Sequence, residues 1–178
     1  MTPRLLATGL ICFIAGALVH ATVTQNRRPT YTPELVKEMD PKAAATALLD
    51  GALQLAGRGS WERIAVGRAW YLGGDKPKGQ AIIDEVTNDR RVEGSDWFRV
   101  GRIYAEAGEW DKAQVAFDKA LEMDKGDDSG MLEYGALANV FNDRAKAEAL
   151  FDRAMKESPR EFWHWVGAGG SYLGVRPQ

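Results

Sequence analysis

Residues able to do chemistry are few and scattered in this chain. Its 178 residues include two histidines and one cysteine, and Cys12 and His20 both lie in an apolar stretch near the amino terminus. The remainder holds no thiol and one imidazole, His164. Disulfide frameworks, Cys/His metal sites and Cys-His or Ser-His nucleophilic pairs all need more than that. His164 stands between Trp163 and Trp165 with no Asp or Ser beside it, which reads as a surface or partner-facing position. The run Asp124-Lys125-Gly126-Asp127-Asp128 would attract Ca²⁺, but it lacks the alternating Asp spacing and closing Glu of a calcium loop. It reads as a solvated turn. Gly167-Ala168-Gly169-Gly170 follows no predicted strand and is not a phosphate loop. Glu109, Asp111 and Glu148 punctuate exposed helix faces. No catalytic, cofactor or metal-binding residue is expected.

The charge balance points the same way. Twenty-three basic and 25 acidic side chains give a net charge of −2, without the basic footprint that nucleic-acid binding requires. Nineteen glycines and seven prolines are too few for a disordered or collagen-like chain, and the length suits one ordinary folded domain.

The first 21 residues read as an export leader. Arg4 precedes the uncharged stretch Leu5 to Val19, and Val19-His20-Ala21 ends it in the pattern of a signal-peptidase site. Fifteen helical residues rise about 22 Å, short of the roughly 30 Å hydrocarbon core. Residues 5–24 reach that length only by including His20, Thr22 and Thr24. Both a cleaved signal and an uncleaved membrane anchor remain open, although Arg27 and Arg28 on the far side weaken the charge asymmetry of an anchor. Ile11 before Cys12 is too bulky for a lipoprotein signal. Residues 22–40, with Pro29 and Pro33, read as a tether. Either leader implies an exported, extracytoplasmic protein, and a body without cysteine suits an oxidising envelope.

The helical elements are written in a 34-residue beat. Steps of 34 connect Gly67, Gly101, Gly135 and Gly169; Trp70, Tyr104, Ala138 and Tyr172; Ile83, Phe117 and Phe151; and Gly79, Ala113 and Ala147. In the clearest unit, Trp97, Val100, Gly101 and Tyr104 mark one face of a first helix, and Gly108 breaks it. Ala113, Phe117 and Ala120 then mark a second helix. A small–large–small stripe suits an antiparallel helix pair, and the missing Cβ of Gly101 allows close approach, offsetting about 1 kcal/mol of helix propensity. Ser95 and Ser129 stand where N-caps are expected. The spacing predicts eight helices, at 41–56, 60–73, 76–88, 95–107, 110–123, 129–140, 143–157 and 160–174. Ala45, Leu49 and Ala52 make the first of these a second helix lacking its first, and the last is a first helix lacking its second.

Trp97, Gly101, Tyr104, Ala113, Phe117 and Ala120, followed by Gly135, Ala147, Phe151, Ala154 and Pro159, resemble the tetratricopeptide repeat family. The resemblance covers about residues 60 to 174, with repeats near 60–93, 94–127 and 128–161 in a repeat domain spanning 41–178. Gly79, Arg63 and Lys125 depart from the family pattern. The resemblance implies an all-α antiparallel helix-hairpin solenoid that stacks through nearest neighbours. It also implies a concave groove lined by first helices, here Trp61, Ile64, Arg68, Tyr71, Phe98, Arg102, Leu132, Asn139, Trp163 and Val166, with Leu72, Glu106 and Val140 beside them. Several of these are equally suited to packing between first helices. Such a surface implies an extended peptide or amphipathic helix of another protein as partner, with Arg68 and Arg102 available to a carboxylate. The last helix, rich in aromatics and weakened by Gly167, Gly169 and Gly170, is either core or covered by another protein or a second copy. The expected role is a non-enzymatic adaptor in an envelope complex, against a homo-oligomeric structural protein or an enzyme using carboxylates on a repeat scaffold.

Overall fold

A computed structural model describes residues 29–177. The leader readings, with Cys12 and His20, and the start of the tether fall outside the described residues. Among those described, the regular elements are all helical. A 3₁₀ turn at Pro33–Leu35 leads into α1 (Pro41–Ala56), α2 (Ser60–Leu72), α3 (Lys76–Thr87), α4 (Gly94–Glu106), α5 (Trp110–Met123), α6 (Asp128–Val140), α7 (Arg144–Glu157) and α8 (Phe162–Tyr172). No described helix is long and apolar enough to cross a membrane.

Short polar caps set the helix starts. Asp40 accepts from the amides of Lys42 and Ala43 ahead of Pro41, and Asp75, Asp127 and Asp143 likewise accept from Lys78, Gly130 and Lys146. Ser95 and Ser129 are not the caps. Glu93 and Asp96 form a capping box around the α4 terminus, and Asp127 takes that role for α6, so both serines fall inside the first turn. Helix α8 is shorter than its expected span, because the Glu161 side chain caps it. At the other end Gly174, with φ of 76°, turns the chain away.

The helices pack as consecutive pairs α2/α3, α4/α5 and α6/α7, and each pair touches only its sequence neighbours. This is the geometry of a solenoid. The 34-residue glycines account for the close pairing. A Cβ at Gly101 would lie 2.5 Å from the Phe117 ring, one at Gly135 2.8 Å from Phe151, and one at Gly67 3.0 Å from Ile83. Gly79, where the family pattern has Ala, brings α3 against the α2 backbone: a Cβ there would lie 2.5 Å from the Tyr71 amide nitrogen. One core runs from Ile64 to Ala168, with Phe117 in ring contact with Phe98, Trp110 and Tyr134. A smaller cluster of Val66, Trp70 and Ile82 is covered by Leu49, Ala52 and Leu53 of α1.

Candidate partner-binding groove

Three first helices and the carboxyl-terminal tail line a cavity of about 430 Å³. Helix α2 contributes Trp61, Ile64, Ala65 and Arg68, and α4 contributes Arg99, Arg102, Ile103 and Glu106. Glu133 and Leu137 come from α6, and Arg176 and Pro177 from the tail. Ile64, Ile103 and Leu137 are buried and form the floor, while Trp61 stands 53% exposed at the rim. The tail reaches this side because Val175 donates back to the Gly170 carbonyl around Gly174, and Arg176 then lies 5.4 Å from the centre of the Phe141 ring.

The walls are charged in an ordered way. Arg68 donates through Nε and Nη2 to Glu106 Oε2 at 2.9 and 2.5 Å, tying α2 to α4. Arg102 makes a two-pronged ion pair with Glu133, tying α4 to α6. That bond raises the pKa of Arg102. Arg99 differs. Its guanidinium lies 3.4 Å from the centre of the Trp61 ring, and Nη1 donates to the Ser95 carbonyl at 2.8 Å. Burial, and then the like charge of Arg102, lower its pKa. Among the described residues Arg99 and Arg176 have no carboxylate partner. The cavity therefore presents two guanidiniums that no described carboxylate bonds directly, Arg99 stacked on an aromatic plate and in the field of Asp96 and Glu133.

Of the residues expected on this surface, Trp61, Ile64, Arg68 and Arg102 are brought together here, with Glu106 beside them. The others are not. Phe98 is buried because α6 opens a gap at Gly130, where a Cβ would lie 2.4 Å from the Phe98 ring. Tyr71 is buried edge-on to Tyr104 and donates to Glu109 Oε2 at 2.8 Å. Leu132 is buried under Gly167 of α8. Asn139 donates to Ser171 Oγ at 3.1 Å, fastening α6 to α8. Trp163 and Val166 are exposed on α8, outside the cavity. Arg99, missed from the sequence, follows Phe98 by one residue, which turns it about 100° round the helix. It shares its 34-residue register with Ala65 of the same groove.

His164 also departs from expectation. It is buried, and neither ring nitrogen has a hydrogen-bond partner. Helix α8 turns its small, polar stripe His164–Ala168–Ser171 inward and leaves Phe162, Trp163, Trp165 and Tyr172 outside. Of the two readings of this aromatic-rich helix, core or covered by another chain, the structure does not place the aromatics in the core, and the imidazole lies inside instead.

Elsewhere, a wider polar cleft of about 740 Å³ lies between the start of α2 and the α3–α4 connection, lined by Arg58, Arg63, Arg90 and Arg91 among others. Two of these four pair internally, Arg63 with Glu85 and Arg91 with Asp89. In the acidic turn, Asp124 accepts from the Gly126 amide, Asp127 caps α6 and Asp128 bonds Ser158. Among the described residues no three His, Cys, Asp or Glu side chains gather as a metal ion would require.

Residues 95–127, which hold α4 and α5, match the family model described as Tetratricopeptide repeat. No curated protein and no solved structure matches the chain. The matched unit is the one with the fullest 34-residue pattern, and the pairs α2/α3 and α6/α7 repeat its packing on either side. The chain is thus an all-α stack of helix pairs whose central pair, α4 and α5, is similar to a tetratricopeptide repeat.

Proposed function

We propose that this chain is a non-enzymatic adaptor that holds an extended, carboxylate-bearing peptide of another protein against the Trp61–Arg99–Arg102 wall. Tetratricopeptide repeats generally mediate protein–protein contacts, and the matched unit supplies one wall of the cavity. The observation that carries the reading is the Arg99 guanidinium stacked on an exposed tryptophan, with no carboxylate partner among the described residues. Desolvated arginine and tryptophan side chains are the kinds of residue on which binding energy concentrates. The Arg68–Glu106 and Arg102–Glu133 pairs fix the spacing of the three helices, so the groove is formed before the peptide arrives.

The apolar leader at residues 5–19 supports an exported or membrane-anchored adaptor serving an envelope complex. Amino-terminal sequencing of the cellular protein decides between the two forms: a start after Ala21 means a cleaved signal, and a start at Met1 removes it. For the groove, Trp61→Ala combined with Arg99→Ala should lower partner capture at least tenfold with helical content unchanged. Unchanged capture would remove this reading.

A further inference from the structure

The first and last described helices carry complementary halves of one repeat unit. In the complete pairs, the first-helix glycine is pressed by its second helix: Gly67, Gly101 and Gly135 each have a ring or branched side chain within 3.0 Å of a Cβ position. Gly169 holds the same register on α8 and has nothing within 4 Å. Its neighbours on that stripe are only partly covered, Tyr172 by Phe151 of α7 at 6.2 Å between ring centres. Trp165 is 63% and Tyr172 49% exposed, whereas Tyr104, in the register of Tyr172, is 9% exposed. From Phe162 to Val175 there is no Asp, Glu, Lys or Arg. Helix α8 therefore displays a large–small–large stripe, Trp165–Gly169–Tyr172, that no second helix covers among the described residues.

Helix α1 shows the converse. Ala45, Leu49 and Ala52 share the register of Ala113, Phe117 and Ala120, all of which are fully buried. In α1, by contrast, Ala45 is exposed and no residue of the helix is buried. Leu48 is 41% exposed, although its register mates Ile82, Ala116 and Leu150 are core residues. Helix α1 displays a small–large–small stripe whose Leu49 and Ala52 rest in part on Val66, Trp70 and Ile82 and whose other side no first helix covers among the described residues.

We infer that a second copy of this chain covers α8 with its own α1, completing a repeat across the junction. Two α8 helices facing each other would set Trp165 and Tyr172 against large residues and leave the glycines opposed. An α1 helix instead places Leu49 over Gly169 and Ala45 and Ala52 beside the aromatics, as Phe117, Ala113 and Ala120 sit on α4. The contact is heterologous: each copy offers one α1 and one α8, so assembly runs head to tail until a ring closes or the chains are used up. It uses the end faces of the stack and leaves the groove open.

The test uses the full chain and two blocked forms. Ala45→Glu with Leu48→Glu closes the α1 face, and Trp165→Glu with Gly169→Glu closes the α8 face. All four positions are exposed, so circular dichroism should show the helical content of the parent. In sedimentation velocity from 1 to 100 µM, the parent should form species heavier than one chain in proportion to concentration. Each blocked form alone should stay at the mass of one chain, and their equimolar mixture should give a species of twice that mass. A second set with lysine at the same four positions must behave identically. A parent that remains a single chain at 100 µM overturns the inference. So does an α1-blocked form that self-associates like the parent, which would show α8 pairing with α8, or a mixture that stays at single-chain mass.

Discussion

Replacing Gly101 by Ala and Gly169 by Ala should move stability in opposite directions, although the two positions share a register and both lie within helices. Alanine gains about 1 kcal/mol over glycine inside a helix. At Gly169 that gain stands alone, because nothing lies within 4 Å of the new methyl. At Gly101 the methyl meets three atoms of the Phe117 ring at 2.5, 2.6 and 2.8 Å. The ring cannot swing aside: it is fully buried and in contact with Phe98, Trp110 and Tyr134. Overpacking of this kind costs about 1–3 kcal/mol, and three contacts this short place Gly101→Ala toward the upper end. The expected net loss is about 1–2 kcal/mol, against a gain of about 1 kcal/mol for Gly169→Ala. Urea unfolding followed by circular dichroism, at sub-micromolar chain to keep α8 uncovered, should separate the two midpoints by about 1 M or more for an m-value near 2 kcal/mol/M. In a Phe117→Leu background the cost of Gly101→Ala should fall by about 1 kcal/mol or more. Equal signs for the two glycines, or no relief by Phe117→Leu, would refute the packing assigned to this register.

Three further outcomes follow from individual sites. Lys112, Lys76 and the Tyr71 hydroxyl hold the Glu109 carboxyl down to about 2. This folded-state pKa lies below the ordinary carboxylate value of about 4.3, so its contribution is present above that value and lost as pH falls toward 2. Glu109→Gln should cost about 1 kcal/mol at pH 7, given solvent screening. The gap between the two proteins should close on acidification from about pH 4.5 to 2 in acid-unfolding curves. His164→Leu removes two buried, unpaired nitrogens and should raise stability by about 1 kcal/mol in the same urea assay; a loss would reveal a hydrogen-bond partner. Phe98→Ala should cost about 3–5 kcal/mol because Phe98 is core, so any loss of partner capture should track unfolding, whereas Trp61→Ala should lower capture with the melting curve unchanged.

The stack was legible from the sequence because one physical device repeats: a glycine on the first helix against a large side chain on the second, 34 residues on each time. Gly101–Phe117 and Gly135–Phe151 fix α4 to α7, and the same register carried outward places the other four helices to within two residues. The site was legible only in part. A register fixes which residues share a face, but the face that points outward depends on what the neighbouring helix leaves empty. Phe98 is drawn inward by the gap at Gly130, and Arg99, one residue along, faces the groove instead. Arg176 joins the wall through a left-handed turn at Gly174 that no helical period encodes. His164 was misplaced for a related reason. Apolar content predicts an inner face only when both sides of a helix compete for one core, and α8 has a neighbour on one side alone.

The central claim, that the face formed by α2, α4 and the tail holds another protein, is tested most directly by a photocrosslinking scan of the chain in its native cells. A photoreactive residue placed singly at Ala65, Arg68 or Arg102 in the groove should join the chain to one and the same protein, and Trp61→Ala with Arg99→Ala should abolish the product. The same residue at Asp152 or Lys156 on exposed α7 should give none. Equal crosslinking from α7 and the groove, or groove products that survive the double substitution, would contradict the account.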